Sequence, residues 1–146
     1  MVLPEFTKTG DLPVGVHAAS LAETVARFGT NSDQRKRLAR RLKLVHQLAS
    51  ETGHLARFAV FGSFITEKHK PNDVDVFMIM DDNFDKGSLR GETRVLFDHA
   101  TSQDYFGCSV FWVRRMGTIG SEEAAMEDWQ IKRDGSERGI VEITVE

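Results

Sequence analysis

The sequence has one cysteine, Cys108, so no disulfide can form within the chain. Its apolar neighbours point to a buried, unreactive thiol, and the lack of a disulfide framework suits a reducing cytosol. No apolar run approaches the ~18 residues that a bilayer-crossing helix needs, so no membrane association is expected. The opening stretch MVLPEFTKTGDLP lacks both a basic and an apolar segment and does not read as a secretory leader. Net charge is only −3, so bulk electrostatics do not argue for a nucleic-acid partner. These absences lead to the expectation of a cytoplasmic protein. With 146 residues, 40% hydrophobic and 28% charged, the chain fits a single globular domain over 1–146 with one core.

The charge is uneven. Residues 35–43 (RKRLARRLK) are rich in cations and hold no acid, whereas 121–128 (SEEAAMED) hold acids and no base. An RNA backbone would fit the basic run, but a solvated or ion-paired helix face is the simpler reading, so RNA is not the favoured partner. The acidic run reads in the same way as a solvated helix.

Pro4, Gly10 and Pro13 mark residues 1–17 as an extended arm lying on the domain. Ser20 and Glu23 form a capping box opening a short helix that carries Leu21, Val25 and Phe28 and closes at Gly29. Asn31 or Ser32 caps a longer helix ending near Gly53, with Leu38, Leu42, Val45 and Ala49 on one apolar stripe and cations around the rest. Phe58–Phe61, Val74–Met80 and Gly107–Val113 are apolar on both faces, as in strands covered on both sides. Residues 88–99 suggest a helix with Leu89, Val95 and Leu96 inward, and 121–131 another. Asp134-Gly135 marks a turn, and 140–145 (IVEITV) a last strand. The order α-α-β-β-α-β-α-β predicts an α/β (α+β) fold: a small mixed sheet with helices packed on it.

Chemistry concentrates in FGSFITEKHKPNDVDVFMIM, residues 61–80. A buried strand ends directly in Gly62-Ser63. Glycine lets the backbone approach a ligand, and a hydroxyl with the N–H groups of a following turn makes an anion site. Nine residues later, Asp73 and Asp75 open the next buried strand. At i and i+2 both carboxylates project to one side. Two like charges at the mouth of a core strand repel and are costly to desolvate, and a divalent cation relieves both problems. Mg²⁺ takes one or two carboxylates together with phosphate oxygens and water. Lys68, His69 and Lys70 lie in the spacer, where a cation such as Lys68 would meet a triphosphate. His46 and His54 lack the partners of a zinc site. Trp112 and Trp129 read as core residues more readily than as stacking platforms.

A hydrophobic strand, Gly-Ser, a spacer and Asp-x-Asp together resemble the DNA polymerase β-like nucleotidyltransferase superfamily, and look closest to its small bacterial and archaeal members, the minimal nucleotidyltransferases. The resemblance implies that Gly62, Ser63 and Lys68 bind a nucleoside triphosphate and that Asp73 and Asp75 are catalytic and bind Mg²⁺. The implied reaction moves a nucleoside monophosphate onto a hydroxyl of a protein or RNA acceptor. Many small members are the antitoxin half of a toxin–antitoxin pair, which implies a toxin-like partner protein. The superfamily draws a third carboxylate from the next core strand. Here that strand is GCSVFWV, the expected position falls at Ser109, and Asp104 is the nearest acid upstream. A domain without that acid would serve as a catalytically weak or inactive binding module, an antitoxin or a regulatory partner.

Overall fold

The computed structural model describes residues 3–144. Five strands form one mixed sheet in the order β1-β5-β2-β3-β4: β1 Val16–Ala19, β2 Leu55–Phe61, β3 Val74–Met80, β4 Cys108–Arg114 and β5 Ile140–Ile143. β2 runs antiparallel to both β3 and β5, while β3 with β4 and β1 with β5 run parallel. The helices are α1 Leu21–Phe28, α2 Asp33–Glu51, α3 Gly91–Leu96, α4 His99–Phe106 and α5 Glu122–Asp128. Among the described residues, no helix is long and apolar enough to cross a membrane.

Strand alternation divides the core in two. Val74, Val76, Met78 and Met80 of β3 join Phe58 and Val60 of β2 beneath Phe28, Leu38, Leu42, Val45 and Leu96 of the first three helices. Phe77, Ile79 and Ala59 face the other way, against Met126 of α5. Cys108 is buried in the larger cluster, where desolvation pushes its thiol up to about 12.

The local signals at the first two helices hold. Ser20 and Glu23 form both halves of the capping box, and the Ser32 side chain accepts from the Arg35 amide at the start of α2. Four expectations need correction. The arm is not extended throughout, because residues 16–19 form an edge strand held by parallel pairing with β5 at the far end of the chain. The single helix expected over 88–99 is instead a 3₁₀ turn at Lys86–Ser88 followed by α3, and α4 begins directly after it. Asp98 sets that break by accepting from the Ala100 and Thr101 amides, and Gly107, left-handed at φ 67°, ends α4. The acidic helix stops at Asp128 rather than 131. Of the last expected strand, 140–143 is observed, and Val145 lies outside the described residues.

The fourth correction concerns α2. Lys36, Arg37, Arg40, Arg41 and Lys43 are exposed as expected, but Arg35 is buried at 7% exposure. Its guanidinium donates through Nη1 to the carbonyls of Phe28 (3.1 Å) and Phe64 (2.6 Å), and through Nη2 to those of Thr66 (2.7 Å) and Lys68 (2.6 Å). Burial pulls its pKa down, and four carbonyl dipoles take the place of an acid. Gln34 adds a bond from Nε2 to the Pro71 carbonyl at 3.0 Å. Together they fasten the segment between β2 and β3 onto α2. Arg35→Ala would leave these buried carbonyls without donors, an expected loss of about 3 kcal/mol in urea unfolding. Arg35→Lys should recover only part of it, since one ammonium cannot span the fork. A loss below ~1 kcal/mol for the alanine variant would contradict this role.

Candidate functional site

The chain leaves β2 at Phe61 and turns at Gly62, whose φ of +84° favours glycine. A second reason for glycine is space, because a Cβ here would fall on the carboxylate of Asp75, with Cγ only 2.9 Å away. Ser63–Ile65 then form a 3₁₀ turn, closed by the Thr66 amide on the Ser63 carbonyl at 3.1 Å. The Ser63 hydroxyl has no hydrogen-bond partner among the described residues and lines a cavity of about 700 Å³, together with Lys68, Asp75 and Ser109. His69 and Lys70 of the same spacer are exposed and do not line it. Gly62 shapes the site from below through its contact with Asp75.

Asp75 is the second residue of β3, paired with Phe61 on one side and Ser109 on the other. Asp73 stands just before the strand. Ser109 Oγ donates its one hydrogen to Asp73 Oδ2 at 3.0 Å and pairs in register with Asp75, close enough to favour the charged form of that carboxylate as well. Asp75 is raised to about 6, first by burial and then by the Asp73 charge, with Ser109, Arg138 and Arg133 opposing. The position opposite Asp75 in register is thus occupied by a serine whose hydroxyl is committed to Asp73. Asp104 is exposed on α4 and does not line the cavity. Its neighbour Gln103 is the residue that reaches Asp73, at 3.4 Å.

This donor set fits a magnesium ion. Two carboxylates stand together, one of them held against its own desolvation, beside open space for water and phosphate oxygens. Among the described residues no group of three or more His, Cys, Asp or Glu side chains forms a metal cluster, so any cation here takes the rest of its shell from water or ligand. The histidines are used elsewhere: His54 Nδ1 pairs with Asp81 at 2.8 Å, and His46 packs edge-on against Phe58.

The far wall was not anticipated from the sequence. Lys132, Arg133 and Arg138 line the cavity from the turn after α5, where Ile131 bridges to Glu137. Asp134-Gly135 forms the expected turn, with φ 87° at Gly135. The overlooked signal was the cations flanking it. Trp129, Phe61 and Phe111 complete the lining as half-buried aromatics. Trp129 therefore packs on the smaller core and also faces the cavity.

The fold and site define an α/β domain with paired carboxylates beside a glycine–serine turn. The chain belongs to a family of unknown function, DUF6932, whose model matches residues 4–144. No curated protein and no solved structure matches it.

Two outcomes follow from the geometry. Because the native pKa of Asp75, about 6, lies above its ordinary 3.8, the folded state holds this proton more tightly than the unfolded chain. Stability therefore falls as pH rises from about 4 to 6, and the deficit remains above that. Asp75→Asn, which carries no charge, should be more stable than the parent at pH 8 by about 1–2 kcal/mol and nearly equal at pH 4, as read by denaturant melts. No gain at pH 8 would contradict the burial of this charge. Gly62→Ala should cost more than ~2 kcal/mol, and less in an Asp75→Ala background, where the carboxylate it strikes is gone. Strict additivity in that cycle would mean the contact is not the cause.

Proposed function

We propose that this domain binds a nucleoside triphosphate with Mg²⁺ and is built for nucleotidyl transfer to a hydroxyl on a protein or RNA acceptor. The observation that carries the reading is the pairing of Asp73 and Asp75 beside the Gly62-Ser63 turn, with Asp75 opening onto a cavity whose remaining charges are mostly cationic. Asp73 and Asp75 would hold the cation. When bound, it would neutralise phosphate oxygens and favour departure of pyrophosphate. The protein's own groups do the rest. Ser63 and Lys68 position the phosphate tail, while Arg133 and Arg138 balance its charge from the opposite wall. The resemblance to minimal nucleotidyltransferases supports the same assignment.

One observation favours a second reading. Ser109 stands where a third acid would activate the acceptor, and a hydroxyl bonded to a carboxylate does not act as a base at neutral pH. A domain so equipped would bind nucleotide well and turn over slowly, which suits a regulatory module or an antitoxin-like partner of a second protein. The two readings separate on one substitution. With labelled NTP, Mg²⁺ and candidate acceptor, Ser109→Asp should raise transfer at least ten-fold over the parent, and Asp75→Asn should abolish it. A Ser109→Asp variant that folds, binds Mg·ATP and still transfers nothing would favour the binding module. Absence of Mg·ATP binding at millimolar nucleotide by calorimetry would end both readings.

A further inference from the structure

The cavity extends well beyond the carboxylates, and its other half has a different character. Phe61 pairs in register with Asp75, and Phe111 lies two residues beyond Ser109 on the same face of β4. An aromatic wall therefore begins beside the candidate metal site and runs along the sheet by one pleat repeat, about 7 Å. Trp129 crosses this wall, with ring centroids 4.5 Å from Phe61, 4.9 Å from Phe111 and 5.0 Å from Phe77. The three cavity-lining rings are only half-buried, and Ile131 beside them is 55% exposed. Flat apolar surface left wet at the side of a polar cavity is unfavourable until something covers it. Around it stand Lys68, Arg133 and Arg138. Among the described residues Arg133 makes no close salt bridge and Arg138 only a long one, 3.7 Å from Asp11, and both reach Asp75 only at longer range.

We propose that the wall formed by Trp129, Phe61 and Phe111 is a nucleobase subsite, and that the preferred ligand is a purine nucleoside triphosphate. This rests on the phosphate and cation reading of the carboxylate end. A ligand with a planar ring at one end and a polyanionic tail at the other matches the two halves of the cavity in the order in which they occur. The wall is several rings wide, so the larger base covers more of it. Stacking is tolerant of base identity, so the discrimination is purine over pyrimidine rather than adenine over guanine.

The test is a set of calorimetric titrations with Mg·ATP, Mg·UTP and Mg·tripolyphosphate. Wild-type protein should bind ATP about ten-fold more tightly than tripolyphosphate, with UTP between. Trp129→Leu, which keeps apolar volume over the smaller core, should bring ATP down to the tripolyphosphate affinity and leave the latter unchanged. Arg133→Ala, at an exposed position, should weaken both ligands together. Equal affinities for ATP and tripolyphosphate in the wild type, or an ATP advantage that survives Trp129→Leu, would overturn the subsite. Should Trp129→Leu not fold, Trp112→Phe leaves Trp129 as the sole indole. Its emission should then be quenched by ATP and not by tripolyphosphate, and equal responses would overturn the proposal. An ATP advantage that needs Trp129 but neither Mg²⁺ nor Asp75 would uphold the subsite and remove the metal reading beneath it.

Discussion

The rest of the site depends on how closely the backbone at Gly62 approaches the carboxylate of Asp75. β2 and β3 are antiparallel neighbours, and their register places the end of one beside the start of the other. Only a residue without a side chain can turn there while Asp75 keeps its position. That contact sets Ser63 and the Asp75 carboxylate on one cavity, while Asp73 stands beside Asp75 outside its lining. The segment that follows is held from behind by Arg35, whose four carbonyl contacts fix its path as far as Lys68. The buried cation and the half-buried carboxylate thus act on opposite ends of the same turn. Arg35 contributes order, whereas Asp75 stores an unfavourable charge.

Stored charge of this kind runs against stability. Ordinary folding chemistry would place a neutral side chain at the second residue of a core strand, not an acid whose ionisation is opposed by burial and by a second acid nearby. Ser109 relieves part of the strain by donating to Asp73 and lying beside Asp75, and Arg133 and Arg138 add to this at longer range. A serine in this place is a compromise: a third carboxylate would raise the repulsion further and would be tolerable only with a cation present.

Much of this was legible in the sequence. The largely apolar runs of β2, β3 and β4, interrupted in β3 only at Asp75 and in β4 at Ser109, announced a sheet with helices packed on it, and the capping box and the Leu38–Ala49 stripe announced the first two helices. Gly62-Ser63 follows the end of β2, Asp75 lies in the start of β3 with Asp73 just before it, and Ser109 pairs in register with Asp75. What was missed depends on partners distant in the chain. β1 is short and barely apolar, and exists because β5 pairs with it. α4 is polar enough to hide, and starts at a cap supplied by Asp98 rather than at an apolar face. The burial of Arg35 had a signal, since it lies three residues before Leu38 and so continues the apolar stripe of α2. It was read as one more solvated cation because its acceptors are backbone carbonyls, which leave no trace in sequence. The cations of the last turn were hidden in the same way, since only the fold brings residues 131–138 across from Asp75.

The central claim is that Asp73 and Asp75 form a cation site serving a phosphate tail held by Ser63. Its most direct test is a crystal structure with Mn²⁺ in place of Mg²⁺ and a non-hydrolysable nucleoside triphosphate. The account predicts an anomalous peak within bonding distance of both carboxylates, about 2.1–2.3 Å, with phosphate density reaching Ser63. A peak elsewhere, or nucleotide bound away from this turn with the two aspartates bare, would contradict it.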